Sequence, residues 1–298
     1  MTHPISTVAF VGLGRMGYPM TRNLLAAGFK LRVYDIVPER IEALVAHGAV
    51  ATSSPGDAAH GADLAISMIF DDAALEAVAL GPDGVLQAAA PGTILADMST
   101  VSPMASLRVA AEAERKGIPY LRAKVSGSIK PATEGKLTIF ASGPREAYDL
   151  CMPAFGALGK KMYYVGEAEE ANYLKLVHSI MIGITAALVG EAFTFGEKGG
   201  VNWSQMIEVI NNSALGSILF DYKVPLLNAR DYTVPQSTVD VAAKDIDMAL
   251  ATAKAEHVPM PVTALVRELY RTMQARGEGG LDFFGIVRLF EDMAGIDD

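Results

Sequence analysis

The sequence predicts two domains: an α/β domain built on a doubly wound parallel sheet, then an all-α domain with a long central helix. Three observations carry this. Short β-branched and apolar runs alternate with helical patterns over roughly the first half of the chain. A glycine triplet sits at the first strand-to-helix turn. Residues 166–200, GEAEEANYLKLVHSIMIGITAALVGEAFTFGEKGG, carry a proline-free apolar run, and helical patterns alone follow it. The expected boundary places residues 1–165 in the first domain and 166–298 in the second.

In chain order, residues 7–11 form the first buried strand and lead into Gly12-Leu13-Gly14-Arg15-Met16-Gly17, with a helix over 19–27. A second strand over 30–34 ends at Asp35, 18 residues after Gly17. Strand, G-x-G-x-x-G, helix, strand and terminal acid together make the dinucleotide-binding fingerprint of a Rossmann domain. Gly12 permits the tight turn, Gly14 lets a pyrophosphate approach the backbone, and Gly17 lets helix and strand pack closely. The helix N-terminus faces the phosphates with free N–H groups. Asp35 is placed to hydrogen-bond the adenosine ribose and repel a 2′-phosphate, so NAD is favoured over NADP. The alternation continues with strands at 49–51, 63–69 and 93–98, and helices from Ser54-Pro55, over 71–80 and over 103–116. Further strands at 118–123, 137–142 and 162–165 surround a helix over 144–158.

The long helix is expected over residues 168–195, about 45 Å at 1.5 Å per residue. It is apolar nearly all round from Leu176 to Phe195, which predicts burial on most faces. A membrane span is the rival reading, but His178 and Glu191 lie inside the run and no charged anchor pattern flanks it. Lys175, His178 and Ser179 share one helical face at spacings i, i+3 and i+4. A lysine entering an apolar helix is costly unless paired, neutral or functional. More helices are expected at 204–212, 239–256, 261–275 and 283–294, with 277–280 a loop.

Composition excludes several function classes. The chain has 298 residues, 51% hydrophobic and 20% charged, which fits a globular enzyme with ample core rather than long disorder. Its net charge of −9 argues against a nucleic-acid or anionic-membrane partner. The one cysteine, Cys151, allows no internal disulfide and reads as a small buried hydrophobe. A strand begins almost at the N-terminus, which leaves no room for a signal peptide, and a cytoplasmic location is the default expectation. His3, His47, His60 and His257 are scattered singly, and no carboxylates cluster at ligand spacing, so no metal is expected. The 14 methionines read as core filling.

Five ordered motifs carry a resemblance across nearly the whole chain: GLGRMGYPMTRNL (12–24), DMSTVSP (97–103), VSGSIKPATEGKLTIFASG (125–143), YLKLVHS (173–179) and KDIDMAL (244–250). Together they resemble the β-hydroxyacid dehydrogenases, the group of 3-hydroxyisobutyrate dehydrogenase and its relatives. The resemblance implies a Rossmann domain followed by a helical domain, a homodimer or homotetramer, and catalysis in the cleft between domains. It implies that Met68-Ile69-Phe70 and Ser99-Thr100 neighbour the nicotinamide, and that Ser126-Gly127-Ser128 binds a substrate carboxylate. Lys175 is implied as the proton-transfer residue, and Lys244 as lining the cofactor side. Oxidation sends a hydride to NAD and a proton to a base, and a lysine serves as base only where burial disfavours its charge. His178 and Ser179 are placed to hold the lysine or the substrate hydroxyl. The expected partner is a small anionic hydroxy acid or aldehyde.

The chain also departs from the family's pattern. Arg122 and Lys124 stand where an acid and a proline are usual, and Glu169 and Ala171 replace two glycines before the lysine. His178 matches 6-phosphogluconate dehydrogenases, Ser179 replaces an asparagine, and the usual aromatic near Ser237 is absent. Two apart on a strand, Arg122 and Lys124 point to the same side. They are therefore expected either to converge on a second substrate anion or to lie solvated on a surface strand. The alternatives to a dehydrogenase are an imine reductase-like enzyme, which generally lacks the helical lysine, and a non-catalytic nucleotide-binding protein.

Overall fold

The structure, a computed structural model, describes residues 5–296; His3 lies outside them. The chain divides into two compact units, the first running to Lys175 and the second starting at Leu176.

The first unit is an eight-stranded sheet in the order β3-β2-β1-β4-β5-β6-β7-β8. The strands are β1 (Thr7–Val11), β2 (Lys30–Tyr34), β3 (Val50–Ala51), β4 (Leu64–Ser67), β5 (Ile94–Asp97), β6 (Tyr120–Ser126), β7 (Leu137–Ser142) and β8 (Gly159–Gly166). The connecting helices are α1 (Gly17–Ala26), α2 (Pro38–Val45), α3 (Pro55–Ala59), α4 (Asp72–Leu80), α5 (Val85–Ala88), α6 (Pro103–Arg115), α7 (Ile129–Thr133) and α8 (Arg145–Leu158). β1 to β6 are parallel, as the alternation predicts, and the order reverses direction between β1 and β4. Side chains alternate across the pleat into two cores: Val8 and Phe10 of β1 join one, Ala9 and Val11 the other. Ser54 and Asp71 cap α3 and α4, accepting from the amides of Asp57 and Ala74.

The sheet is not wholly parallel. β7 pairs antiparallel with β6, matching Arg122 with Ser142 and Ser126 with Thr138. Residues 127–136 hold only the short α7, too little chain for a parallel crossover. β6 also runs on through Ser126, past its expected end at 123, so Lys124 and Val125 are strand residues. The break between units falls after Lys175, ten positions beyond the expected boundary at 165. The segment after β8 is tied to the sheet: Ser142 Oγ donates to Ala168 O at 2.7 Å and accepts from Ala171 N at 3.1 Å.

Helix α9 (Glu170–Lys198) has 29 residues and crosses the division between the units. The second unit contains the rest of α9, then α10 (Trp203–Asn211), α11 (Ile218–Ala229), α12 (Val239–Ala255), α13 (Pro261–Ala275), a 3₁₀ turn (Phe283–Gly285) and α14 (Ile286–Met293). α11 was not expected, because Pro225 interrupts its pattern; it holds nonetheless, with Ser217 capping its start. Ala186, Ala187, Val189 and Phe193 of α9 join Ile246, Tyr270 and Phe284 in one core. Lys223 and Asp282 are buried in this unit and pair with each other at 2.8 Å.

Among the described residues, α9 alone is long and apolar enough to cross a membrane, and 44% of its apolar window is buried. Burial on most faces holds, with one face left open. Val177, Met181, Leu188 and Phe195 are exposed, Phe195 by 83%. They recur at four- and seven-residue spacings, so one stripe of the helix is apolar and open.

Candidate functional site

The glycine loop between β1 and α1 has the shape its sequence requires. Gly12 has φ 95°, and a Cβ there would lie 2.3 Å from the Met68 carbonyl oxygen. A Cβ on Gly17 would lie 1.9 Å from the Gly12 oxygen, so α1 can approach the loop only without a side chain. Gly14 is different: nothing stands within 4 Å of where its Cβ would be, which leaves the backbone open to a ligand. Met16 precedes α1 and supplies no side-chain cap, and Leu13 and Arg15 complete the loop. A bare loop at an uncapped helix N-terminus fits a pyrophosphate.

Asp35 follows β2 beside this loop. Its carboxylate accepts from Leu13 N at 2.6 Å and Val37 N at 2.9 Å, with the Arg40 guanidinium 3.2 Å away. The acid thus shapes the glycine loop as well as presenting charge where a ribose would lie. Its contact with Leu13, 22 positions earlier, gave no signal in the sequence.

The ends of β4, β5 and β6 carry the remaining residues of this unit. Met68 is half-buried and Phe70 is 59% exposed. Ile69 N donates to Ser99 Oγ at 2.9 Å. Ser99 is fully buried, so its side chain braces the β4 end, while Thr100 is partly exposed. After β6, Ser126 is half-buried, and Gly127, with φ 135°, is exposed where a Cβ would meet Leu137. Ser128 starts α7 without capping it by its side chain. The Lys175 ammonium donates to Val125 O at 3.0 Å, which sets it beside Ser126.

Arg122 and Lys124 point to one side of β6, and the expectation that they lie solvated on a surface strand is corrected. Both are buried, and each is engaged by a carboxylate. Arg122 Nε donates to Glu169 Oε1 at 2.8 Å, its guanidinium packs over the Tyr120 ring at 4.6 Å, and Asn172 Nδ2 donates to the other Glu169 oxygen. Lys124 Nζ donates to Asp97 Oδ2 and to Ser99 O. Burial pulls the Lys124 pKa below the ordinary lysine value, and Asp97 opposes that pull. Burial also pushes the Tyr120 phenol well up, and Tyr120 shares a hydrogen bond with Ser106. These cations are internal partners of acids, and neither forms an open anion grip.

In the second unit, Ser179 Oγ donates to Asp245 Oδ2 at 3.0 Å, and Lys244 Nζ lies 3.0 Å from the other Asp245 oxygen. Asp245 therefore joins two of the candidate residues. Its place in the KDIDMAL motif was the available signal, but the motif drew attention only to Lys244. His178, half-buried, lies one residue before Ser179 on α9. Cys151 is fully buried on α8, and burial pushes its thiol up to about 12, which makes it a poor nucleophile. Among the described residues, no three His, Cys, Asp or Glu stand together as a metal site.

Residues 7–166 match the model of the NAD-binding domain of 6-phosphogluconate dehydrogenase, and residues 170–290 that of the NAD-binding domain of NADP-dependent 3-hydroxyisobutyrate dehydrogenase. The chain is 32% identical to 2-(hydroxymethyl)glutarate dehydrogenase of Eubacterium barkeri, over 97% of this chain and 96% of that one. It is also 32% identical to 3-hydroxyisobutyrate dehydrogenase of Pseudomonas aeruginosa, over 96% and 99%. The solved 3-hydroxyisobutyrate dehydrogenase of Mycobacterium tuberculosis with L-serine superposes with a TM-score of 0.87 at 26% identity, covering 96% of this chain and 99% of that one. An imine reductase from a Pseudomonas species matches less well, with a TM-score of 0.59 at 25% identity over 95% and 99%. With both halves matched in order on an NAD-type Rossmann sheet, the chain belongs to the β-hydroxyacid dehydrogenases, NAD-dependent oxidoreductases of small hydroxy acids.

Proposed function

We propose that the chain oxidises the hydroxyl of a short hydroxy acid bearing one carboxylate, or reduces the matching aldehyde, with Lys175 as the general acid/base. The observation that carries this is the Lys175 Nζ contact with Val125 O at 3.0 Å, adjoining Ser126-Gly127-Ser128. That segment offers hydroxyls and an exposed glycine backbone to a carboxylate. NAD, held by the Gly12–Gly17 loop and Asp35, would supply the hydride acceptor. Lys175, as the free amine, takes the hydroxyl proton while the C–H electron pair leaves as hydride; in reverse its ammonium protonates the carbonyl oxygen. Met68-Ile69-Phe70 and Ser99-Thr100 flank the nicotinamide in this reading, Ser99 through its hold on Ile69. Asp245 orients Lys244 and Ser179, and His178 adds a second polar group on the lysine's helix.

The bound acid is a monoanion, because the two cations of β6 are held by Glu169 and Asp97. The relatives named above span both kinds, 2-(hydroxymethyl)glutarate dehydrogenase being named for a dicarboxylate and 3-hydroxyisobutyrate dehydrogenase for a monocarboxylate. The test is a panel of C3–C6 hydroxy acids, with and without a terminal second anion, followed by NADH absorbance. Higher kcat/KM on monoanions is expected. A clear preference for dianions, or no turnover on any hydroxy acid, would refute the reading.

A second copy of the chain covers the open stripe of α9 in this reading. The stripe is self-complementary in kind, apolar and regularly spaced, and its spacing suits helix-on-helix packing. The assembly works in the cytoplasm, on a diffusible metabolite.

A further inference from the structure

A fully buried lysine of the sheet is placed between the segments that the reaction needs aligned. Lys124 lies two residues before Ser126 and one before Val125, whose carbonyl receives Lys175. Its side chain and that of Asp97 are both 0% exposed. Nζ donates to Asp97 Oδ2 on β5 and to Ser99 O, just beyond it, at 2.8 Å. The other carboxylate oxygen, Asp97 Oδ1, accepts from Ser67 Oγ of β4 at 2.8 Å and from Ser99 N at 3.2 Å. Ser99 Oγ in turn accepts from Ile69 N. One ammonium and one carboxylate thus connect the C-terminal ends of β4, β5 and β6.

Stability alone does not explain such a pair. Desolvating two charges offsets much of their attraction, and well-packed apolar residues in their place are often neutral or stabilising. Direction is what the charges add. The backbone pairing of β5 with β6 ends at Asp97 and Arg122. Beyond it the Lys–Asp contact and the bond to the Ser99 carbonyl fix where Ser99 sits relative to β6, which an apolar contact would not. Displacements near an ångström at a reacting centre lower rates by about a hundredfold.

We propose that Lys124 and Asp97 are positioning residues, a buried clasp that aligns the β4 and β5 loops beside the nicotinamide with the β6 segment that holds the substrate carboxylate. This deepens, and rests on, the reading of the site given above. Lys124 touches neither ligand; it acts through Ser99 and Val125.

The test pairs Lys124→Met with Asp97→Asn in the full-length protein. The amide oxygen introduced by Asp97→Asn can keep the bonds from Ser67 and Ser99, so the double substitution removes the tie to β6 and leaves no lone buried charge. The readouts are thermal stability, NADH affinity by fluorescence, and kcat and KM for the best hydroxy acid. The clasp predicts a folded double variant with a melting temperature near wild type, NADH bound about tenfold more weakly, and kcat/KM reduced by about a hundredfold. Asp97→Asn alone, which strands the ammonium, is expected to lose stability as well. A folded double variant with NADH affinity and kcat/KM within about twofold of wild type (under about 0.5 kcal/mol) overturns the proposal. So does a double variant that cannot fold, because the pair would then hold the domain rather than align the site. NADH binding needs no hydroxy acid, so a wrong substrate class would leave that arm readable.

Discussion

Asp35 offers the sharpest test of how the first unit recognises its cofactor, and Asp35→Ser is the perturbation. The carboxylate does two jobs: it accepts from the Leu13 and Val37 amides at 2.6 and 2.9 Å, and it holds Arg40 at 3.2 Å. A hydrogen bond to a charged acceptor contributes about 1.5–3 kcal/mol, so losing the buried Leu13 bond loosens the glycine loop by that order. At about 1.4 kcal/mol per factor of ten, NAD efficiency should fall about 10- to 100-fold. The gain for NADP is smaller. Serine no longer repels a 2′-phosphate and Arg40 is released to meet it, but the Arg40 side chain is 48% exposed. Solvent and salt limit such a contact to about 0–1 kcal/mol. Wild type is therefore expected to prefer NAD by about tenfold or more, and the variant to approach parity mainly by losing NAD efficiency. The assay is kcat/KM with each cofactor at fixed substrate, with Arg40→Ala as a companion. An unchanged cofactor ratio in Asp35→Ser would refute the reasoning. Equal efficiencies in wild type would refute it too, and would point to Arg40.

Lys175→Ala should lower turnover by about 10²- to 10⁴-fold while NADH affinity stays near wild type. A variant keeping a tenth of wild-type turnover would give Lys175 a structural role. Leu188→Glu with Phe195→Glu should shift sedimentation from dimer or larger species to monomer, and unchanged sedimentation would mean that the α9 stripe is not the contact.

What was legible in the sequence was what local chemistry fixes. Gly12, Gly14 and Gly17 differ in the space around them as their spacing implied, because each answers a constraint set within one strand–turn–helix unit. The parallel order of β1 to β6 followed from βα alternation for the same reason. The misses depend on distant partners. Arg122 meets Glu169 across 47 positions and Lys124 meets Asp97 across 27, and a strand pattern says which side a residue faces but not what waits there. α11 was hidden because Pro225 breaks the periodicity that packing of Phe220 and Leu227 overrides. The open stripe of α9 was not legible because an all-apolar run does not distinguish core from an exposed stripe.

The Arg122–Glu169 pair also bears on substrate choice. Two departures from the family's pattern, an arginine on β6 and a glutamate before α9, are partners, so the change of sign on the strand is compensated within the unit. Breaking a buried pair by removing one member costs about 3–5 kcal/mol. A substrate anion that drew Arg122 away would leave Glu169 in that position, with Asn172 its remaining side-chain hydrogen bond. Such an anion would have to offset a penalty of about 10²- to 10⁴-fold in affinity before gaining anything. Arg122→Ala should accordingly raise KM for monoanionic and dianionic hydroxy acids by the same factor, through misplacement of β6 and the start of α9, and should lower the melting temperature with it. If the dianion alone suffered, by tenfold or more, Arg122 would be reaching the substrate, and the ion pair with Glu169 would be only its resting state.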